Sequence, residues 1–313
     1  MRNVFLSILL FLVPSVALLA STPPIAVMPF KSQDQRLGEQ VAAGLLVDLR
    51  ATGHFTLVER GQLEQALNEI AQSQSGLVDS ETVQEIGHMV GAEYMIVGDI
   101  EARGQEYLAS ARVLRTETGI VIAAARQVGS LSTVSDGVSA QLVEQLRIYL
   151  LMDNPDSPYS ILLRLDRGAD ASYRLGDRLK LTFRVIKHRD EAPDIVYIQL
   201  YSIDAVGAMT LIYPNKFTPQ MQVRVGQEYS IPAPEDDFEW KLVPPAGTES
   251  IQAIVTRNPI DLFGLRDSYR TRAFPLASRT SGLGIFQGIQ TQLREEDLGD
   301  YSAERVSYIL NQD

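Results

Sequence analysis

Three histidines, His54, His88 and His188, are the first residues to ask about chemistry, and they stand far apart with no partner four positions away. That spacing excludes a helical zinc pair of the H-E-x-x-H kind. Cysteine is absent, so thiolate nucleophiles, thiolate metal sites and disulfides are all excluded. Acidic clusters occur at Glu235-Asp236-Asp237 and Glu295-Glu296-Asp297. A calcium loop alternates its oxygen ligands around a central glycine, and neither cluster has that form, so both read as solvated loops. Gly282-Leu283-Gly284 with Gly288 carries the glycines of a dinucleotide loop without a preceding strand, and reads as flexible linker. Glu59-Arg60 reads as a structural ion pair at a helix start, and Gly98-Asp99 as a bulge or turn. No nucleophile elbow and no P-loop occurs. The sequence therefore offers no catalytic residue, no cofactor-binding residue and no metal ligand, and the expectation is a protein that is not an enzyme and holds no cofactor.

Composition narrows the partners. The chain has 313 residues and a formal net charge of -11, an acidic balance opposed to nucleic acid, whose binding needs clustered Lys and Arg. At the N-terminus, Arg2 precedes an apolar run from Val4 to Val13 broken by Ser7. Pro14 and the small residues Ser15, Ala17, Ala20 and Ser21 follow. Charge, short apolar core and small-residue exit are the parts of a secretory signal peptide. Residues 1–20 are assigned to it, with cleavage after Ala20 and a competing site after Ala17. The run is shorter than the roughly twenty apolar residues of a membrane span. No later segment approaches that length, so no transmembrane segment is expected after cleavage. A lipid anchor needs a cysteine at the cleavage site. The expectation is a periplasmic protein that is not a lipoprotein.

The elements that would position any site divide into two patterns. From residue 24 to 151 the order reads β-α-β-α-α-β-β-β-α. Ile25–Phe30 is an apolar strand, and Leu37, Val41, Leu45 and Leu49 form a helical stripe closed by Gly53. Phe55–Val58 is a strand, and Leu63, Ala66, Leu67 and Ile70 mark a helix. After a polar break at Ser73–Gly76, Val83, Ile86 and Val90 mark another. Tyr94–Ile100 is β-branched, and Tyr107–Leu114 with Ile120–Ala125 form a hairpin over Thr116-Glu117-Thr118-Gly119. Val134, Val138, Leu142, Leu146 and Leu150 make the closing helix. The fold class is mixed α/β, a sheet covered by helices. Beyond a linker at Met152–Pro158, residues 158–258 carry alternating runs at Ile161–Leu165, Leu179–Val185, Ile195–Ile203, Met209–Tyr213, Tyr229–Ile231 and Ile251–Thr256. These predict a mainly-β, sandwich-like domain. Residues 259–313 form a C-terminal extension in which Tyr301–Leu310 is expected to be a short helix.

Several of these runs carry a resemblance. IAVMPF, FTLVERGQLEQALNEI and GHMVGAEYMIVGDI resemble the periplasmic domain of the curli secretion channel (CsgG-like) family. Phe55, Val58, Glu59 and Arg60 match one motif. Gly91, Ala92 and Tyr94 match another, with Glu93 in place of aspartate, and Arg115–Gly119 is similar to the family's Asp-x-x-Thr-Gly turn. The same fold resembles outer-membrane activators of peptidoglycan synthases and accessory proteins of flagella and pili. Channel members donate long alternating hairpins to a membrane barrel. The short connections here hold no such insertion, so the resemblance implies a soluble relative. The second part resembles a bacterial envelope-associated domain of unknown function. Its marks are Tyr173-Arg174-x-Gly176-Asp177-x-Leu179, Tyr201-x-Ile203-Asp204-x-x-Gly207, Leu211-x-x-Pro214-Asn215, and Pro245, Gly247 and Glu249. Together they imply a non-catalytic periplasmic accessory protein that scaffolds or regulates an envelope assembly or secretion machine, with homo-oligomerisation open. The expected partners are secretion, surface-appendage or peptidoglycan-synthesis components. An envelope hydrolase with a site between the domains and a pore subunit are the competing readings.

Overall fold

The computed structural model describes residues 22–73, 80–168, 171–265, 267–295 and 300–312. The expected signal peptide and part of the polar break after Ser73 lie outside these residues. The first unit runs β1 (Pro24–Val27), α1 (Gln35–Thr52), β2 (Thr56–Leu57), α2 (Arg60–Ser73), α3 (Ser80–Met89), β3 (Tyr94–Arg103), β4 (Glu106–Arg115), β5 (Val121–Gly129) and α4 (Leu131–Met152), the expected element order. Its sheet is ordered β2-β1-β3-β4-β5, with β1 parallel to β2 and β3, and β3-β4-β5 an antiparallel meander.

The two-residue period of the strands assigns the helices to faces. Ile25 and Val27 of β1 and Tyr94 and Ile96 of β3 join the core formed with Val41, Leu45 and Leu49 of α1 and Val138, Leu142 and Leu146 of α4. The intervening Ala26 and Met95 face the other way, onto Leu63 and Ala66 of α2 and Val83 and Ile86 of α3. Local signals set the helix ends. The Asp34 carboxylate accepts from Arg36 N at 3.0 Å, and Ser130 Oγ accepts from Thr133 N at 3.3 Å. Each satisfies a backbone donor that the first helical turn leaves unpaired. Gly53 closes α1 at φ 67°, a left-handed position that costs glycine little.

The second unit is mostly strand, as the sequence predicts. It runs β6 (Tyr159–Leu165), β7 (Ser172–Arg174), β8 (Leu181–Lys187), β9 (Ile195–Ile203), β10 (Met209–Tyr213), β11 (Gln222–Arg224), β12 (Glu228–Ile231), β13 (Gly247–Thr256), α5 (Ser268–Thr271), β14 (Leu276–Ser278), α6 (Leu283–Glu295) and β15 (Ser302–Asn311). One sheet is ordered β14-β10-β9-β13-β15-β7, with β11 also on β9, and a smaller one β12-β8-β6.

Two expectations for the C-terminal extension are corrected. Tyr301–Leu310 is not a helix; residues 302–311 form β15, antiparallel to β13 and parallel to β7. The apolar positions Val306, Ile309 and Leu310 suit either period. Burial on both faces of the strand decides it, since a lone helix at a surface would leave one face polar. The Gly282–Gly288 segment is not a flexible linker: from Leu283 on it is the first turns of α6, whose Phe286, Ile289 and Leu293 are buried at helical spacing.

β15 also joins the two units. β5 is the edge of the first sheet, and an open edge leaves backbone groups unpaired. Here side chains fill them. The Gln145 amide of α4 accepts from Ala124 N at 3.2 Å and donates to Ala124 O at 2.6 Å. Ser307 Oγ of β15 donates to Ile122 O at 3.2 Å. Arg126 of β5 donates to Asn311 at the end of β15.

Candidate functional site

The chemistry of this chain gathers around β15, where two adjacent charged residues are buried. Glu304 is 3% exposed and Arg305 2%. They do not pair with one another, because successive strand residues face opposite ways. Glu304 turns to the first unit. Its Oε2 accepts from Arg115 Nη1 at 2.6 Å and its Oε1 from Arg305 N at 2.9 Å, with Tyr149 Oη at 3.4 Å. Burial raises the Glu304 pKa, and Arg115 offsets the rise only in part.

Arg305 turns to a cleft. Its Nε donates to Gln252 Oε1 at 3.0 Å, and its Cζ lies 4.9 Å from the Phe286 ring centroid. Nη2 is buried with no hydrogen-bond partner among the described residues. Burial alone pulls the guanidinium pKa down to about 10. The cleft has a volume of about 600 Å³ and is lined by α4, the β9–β10 turn, the start of β13, Ser281-Gly282 before α6, and Arg126 and Arg305. It opens past the exposed Ala140 and Gly282. Its acidic groups are engaged with the backbone. Glu144 Oε1 accepts from Leu283 N at 3.2 Å, and Asp204 Oδ1 from Val206 N at 3.0 Å and Ala208 N at 2.8 Å.

A second cavity, of about 340 Å³, has Arg115 in its wall. It is lined by His88, Glu93, Tyr94, Arg115, Thr116 and Asp153, among others. Burial raises the Asp153 pKa, with Arg115 opposing, and burial likewise raises that of Tyr94. On the second unit, Phe217, Phe238 and Phe274 form an aromatic cluster. Phe217 stacks on Phe238 at 4.6 Å and Phe274 meets Phe238 edge-on at 5.3 Å, with Phe217 and Phe274 exposed.

The residues singled out from sequence fall elsewhere. The expected Glu59–Arg60 ion pair is not found among the described residues; Arg60 pairs instead with Glu64 at 2.7 Å and Glu39 at 3.5 Å. Gly98 is neither bulge nor turn. It sits in the unbroken β3–β4 register, and a Cβ there would meet the Phe30 ring at 2.5 Å. Asp99 accepts from Ser110 Oγ at 2.7 Å. His54 follows α1, His88 lies in α3, and His188 Nε2 is 2.8 Å from Ser160 Oγ, so the three belong to separate elements. Asp236 closes a turn by accepting from Ala233 N at 2.8 Å. Glu296 and Asp297 lie outside the described residues. Glu249, the acid of the Pro-x-Gly-x-Glu motif, is buried and accepts from Tyr308 Oη at 2.5 Å across the β13–β15 register. Burial pushes it up to about 7. Glu304 and Arg305 went unnoticed in the sequence because a helix there would have left them in solvent. Two adjacent opposite charges ahead of the apolar Val306, Ile309 and Leu310 were the available signal.

No curated protein matches the chain. Among solved structures, the LpoB C-terminal domain from Salmonella enterica is 18% identical over 35% of this chain and 84% of its own, with a TM-score of 0.30. The PelC dodecamer from Paraburkholderia phytofirmans is 16% identical over 40% and 87%, at 0.26. Lipoprotein GNA1162 from Neisseria meningitidis is 14% identical over 41% and 95%, also at 0.26. The family models match in the order the motifs imply: residues 17–128 match the Curli production assembly/transport component CsgG, and residues 172–259 match DUF4384, a domain of unknown function.

Proposed function

We propose that this chain is a non-catalytic accessory protein of the cell envelope that scaffolds or regulates an assembly or secretion machine. The observation that carries the reading is the match of residues 17–128 to the curli assembly and transport family. The use made of the buried charges supports it. Glu304 is bound to Arg115, and Glu249 to Tyr308. In the cleft, Glu144 and Asp204 each accept from backbone donors. No helix among the described residues is long and apolar enough to cross a membrane.

The test is in-cell crosslinking of the tagged native chain, followed by mass spectrometry of what co-purifies. Secretion or surface-appendage components would place the chain in an export machine, and peptidoglycan synthases would make it a regulator of wall growth. Recovery of the chain alone, together with hydrolysis of envelope glycan by the purified protein, would overturn the reading. Periplasmic residence is part of the same proposal. A periplasmic extract is expected to yield a chain that begins at Ser21, and an uncleaved cytoplasmic chain would remove that part.

A further inference from the structure

The cleft beside β15 holds a cation that no described residue neutralises. No carboxylate of the described residues makes an ion pair with Arg305, and none with Arg126 on the same wall. Around the Arg305 guanidinium stand an amide oxygen of Gln252 and the ring of Phe286, and Nη2 has no partner among the described residues. Arg126 donates to the amide of Asn311. A guanidinium taken out of water without an anion is one of the least favourable placements in a folded chain. An aromatic face recovers a small part of the loss. The two acids of the cleft do not supply the rest, since Glu144 is held by Leu283 N and Asp204 by its own turn.

We propose that this cleft binds a carboxylate-bearing ligand of peptide size, with Arg305 as the group that receives the carboxylate and Arg126 as a second cation at the same wall. A guanidinium presents a planar fork that matches a carboxylate. The presence of Glu144 and Asp204 in the lining favours a monoanion over the more highly charged phosphate. The volume of about 600 Å³ accommodates a short peptide end, and Thr248 and Ser281 bring hydroxyls to the same lining. The proposal goes beyond the accessory role and is decided separately from it, by binding to the purified chain rather than by its partners.

The test is isothermal titration of the full chain with N-acetyl-dialanine as the free acid, with its C-terminal amide, and with inorganic phosphate. The free acid is expected to bind, and the amide to bind at least about tenfold more weakly, the loss of one charge-assisted contact. Arg305→Gln is expected to weaken the acid by a similar factor, with its circular dichroism unchanged. If that variant does not fold, Arg126→Gln takes its place, with a several-fold loss expected because Arg126 is half-buried. Absence of binding by the acid, equal binding of acid and amide, preference for phosphate, or full affinity in the folded variant would each overturn the proposal.

Discussion

Gly98 and Glu249 show how single positions carry the architecture. At Gly98 the Phe30 ring occupies the space of a side chain, with ring atoms at 2.5 to 2.7 Å from where a Cβ would stand. Gly98→Ala should therefore destabilise the first unit by about 1–3 kcal/mol, the usual cost of overpacking. Phe30→Leu in the same chain should restore part of the loss, and urea unfolding of the single and double variants measures both. At Glu249, burial raises the folded-state pKa from 4.5 to about 7 despite the hydrogen bond from Tyr308. A carboxyl raised on folding binds its proton more tightly in the native state, so its contribution to stability falls as pH rises from about 4.5 to about 7 and then levels. The span of about 2.5 units corresponds to roughly 3 kcal/mol. Glu249→Gln should lose that slope, and its stability relative to the parent should rise by a comparable amount between pH 4 and pH 8 in matched denaturant titrations.

Elements were legible in sequence to different degrees, for physical reasons. The stripe of α1 and the β-branched run of β3 show a period that survives any context, and both stand where they were expected. Short strands such as β7, β11 and β14, of three residues each, have too few positions to show a period. β15 misled because Val306, Ile309 and Leu310 fit a helix as well as a strand, and only its neighbours β13 and β7 decide. The binding cleft was illegible as well. Arg305, Gln252 and Phe286 come from three elements of the second unit, and no linear motif joins them. Gln145 belongs to the same class of hidden feature, a polar residue of α4 that serves the backbone of β5. Gln145→Leu leaves both groups of Ala124 unpaired. The expected result is a loss of about 1–3 kcal/mol, the cost of an unsatisfied buried group. Urea unfolding of the variant measures it.

At the scale of the whole molecule, the two units are bound by groups that neither can satisfy alone. Arg115 of β4 reaches Glu304 of β15 at 2.6 Å, and Ile122 of β5 receives the hydroxyl of Ser307. Such shared burial predicts one cooperative transition rather than two. Trp240, the single tryptophan, lies in the second unit and packs against the core. Its fluorescence should therefore lose native character at the same denaturant concentration as the helical circular dichroism, much of which comes from the first unit. Two separated midpoints would show that the units unfold independently.

The placement of β15 also governs when the molecule can take shape. The strand lies between β13 and β7, and its Glu304 meets an arginine 189 positions earlier in the chain. A contact spanning so much sequence closes slowly, and it has no counterpart until residue 304 is available. A chain emerging from its N-terminal end thus waits with its larger sheet unclosed and the flank of β5 uncovered by β15. Throughout that interval the open flanks of β5 and β13 can pair with strands of other chains, an exposure that ends when the last ten-residue strand, 302–311, takes its place.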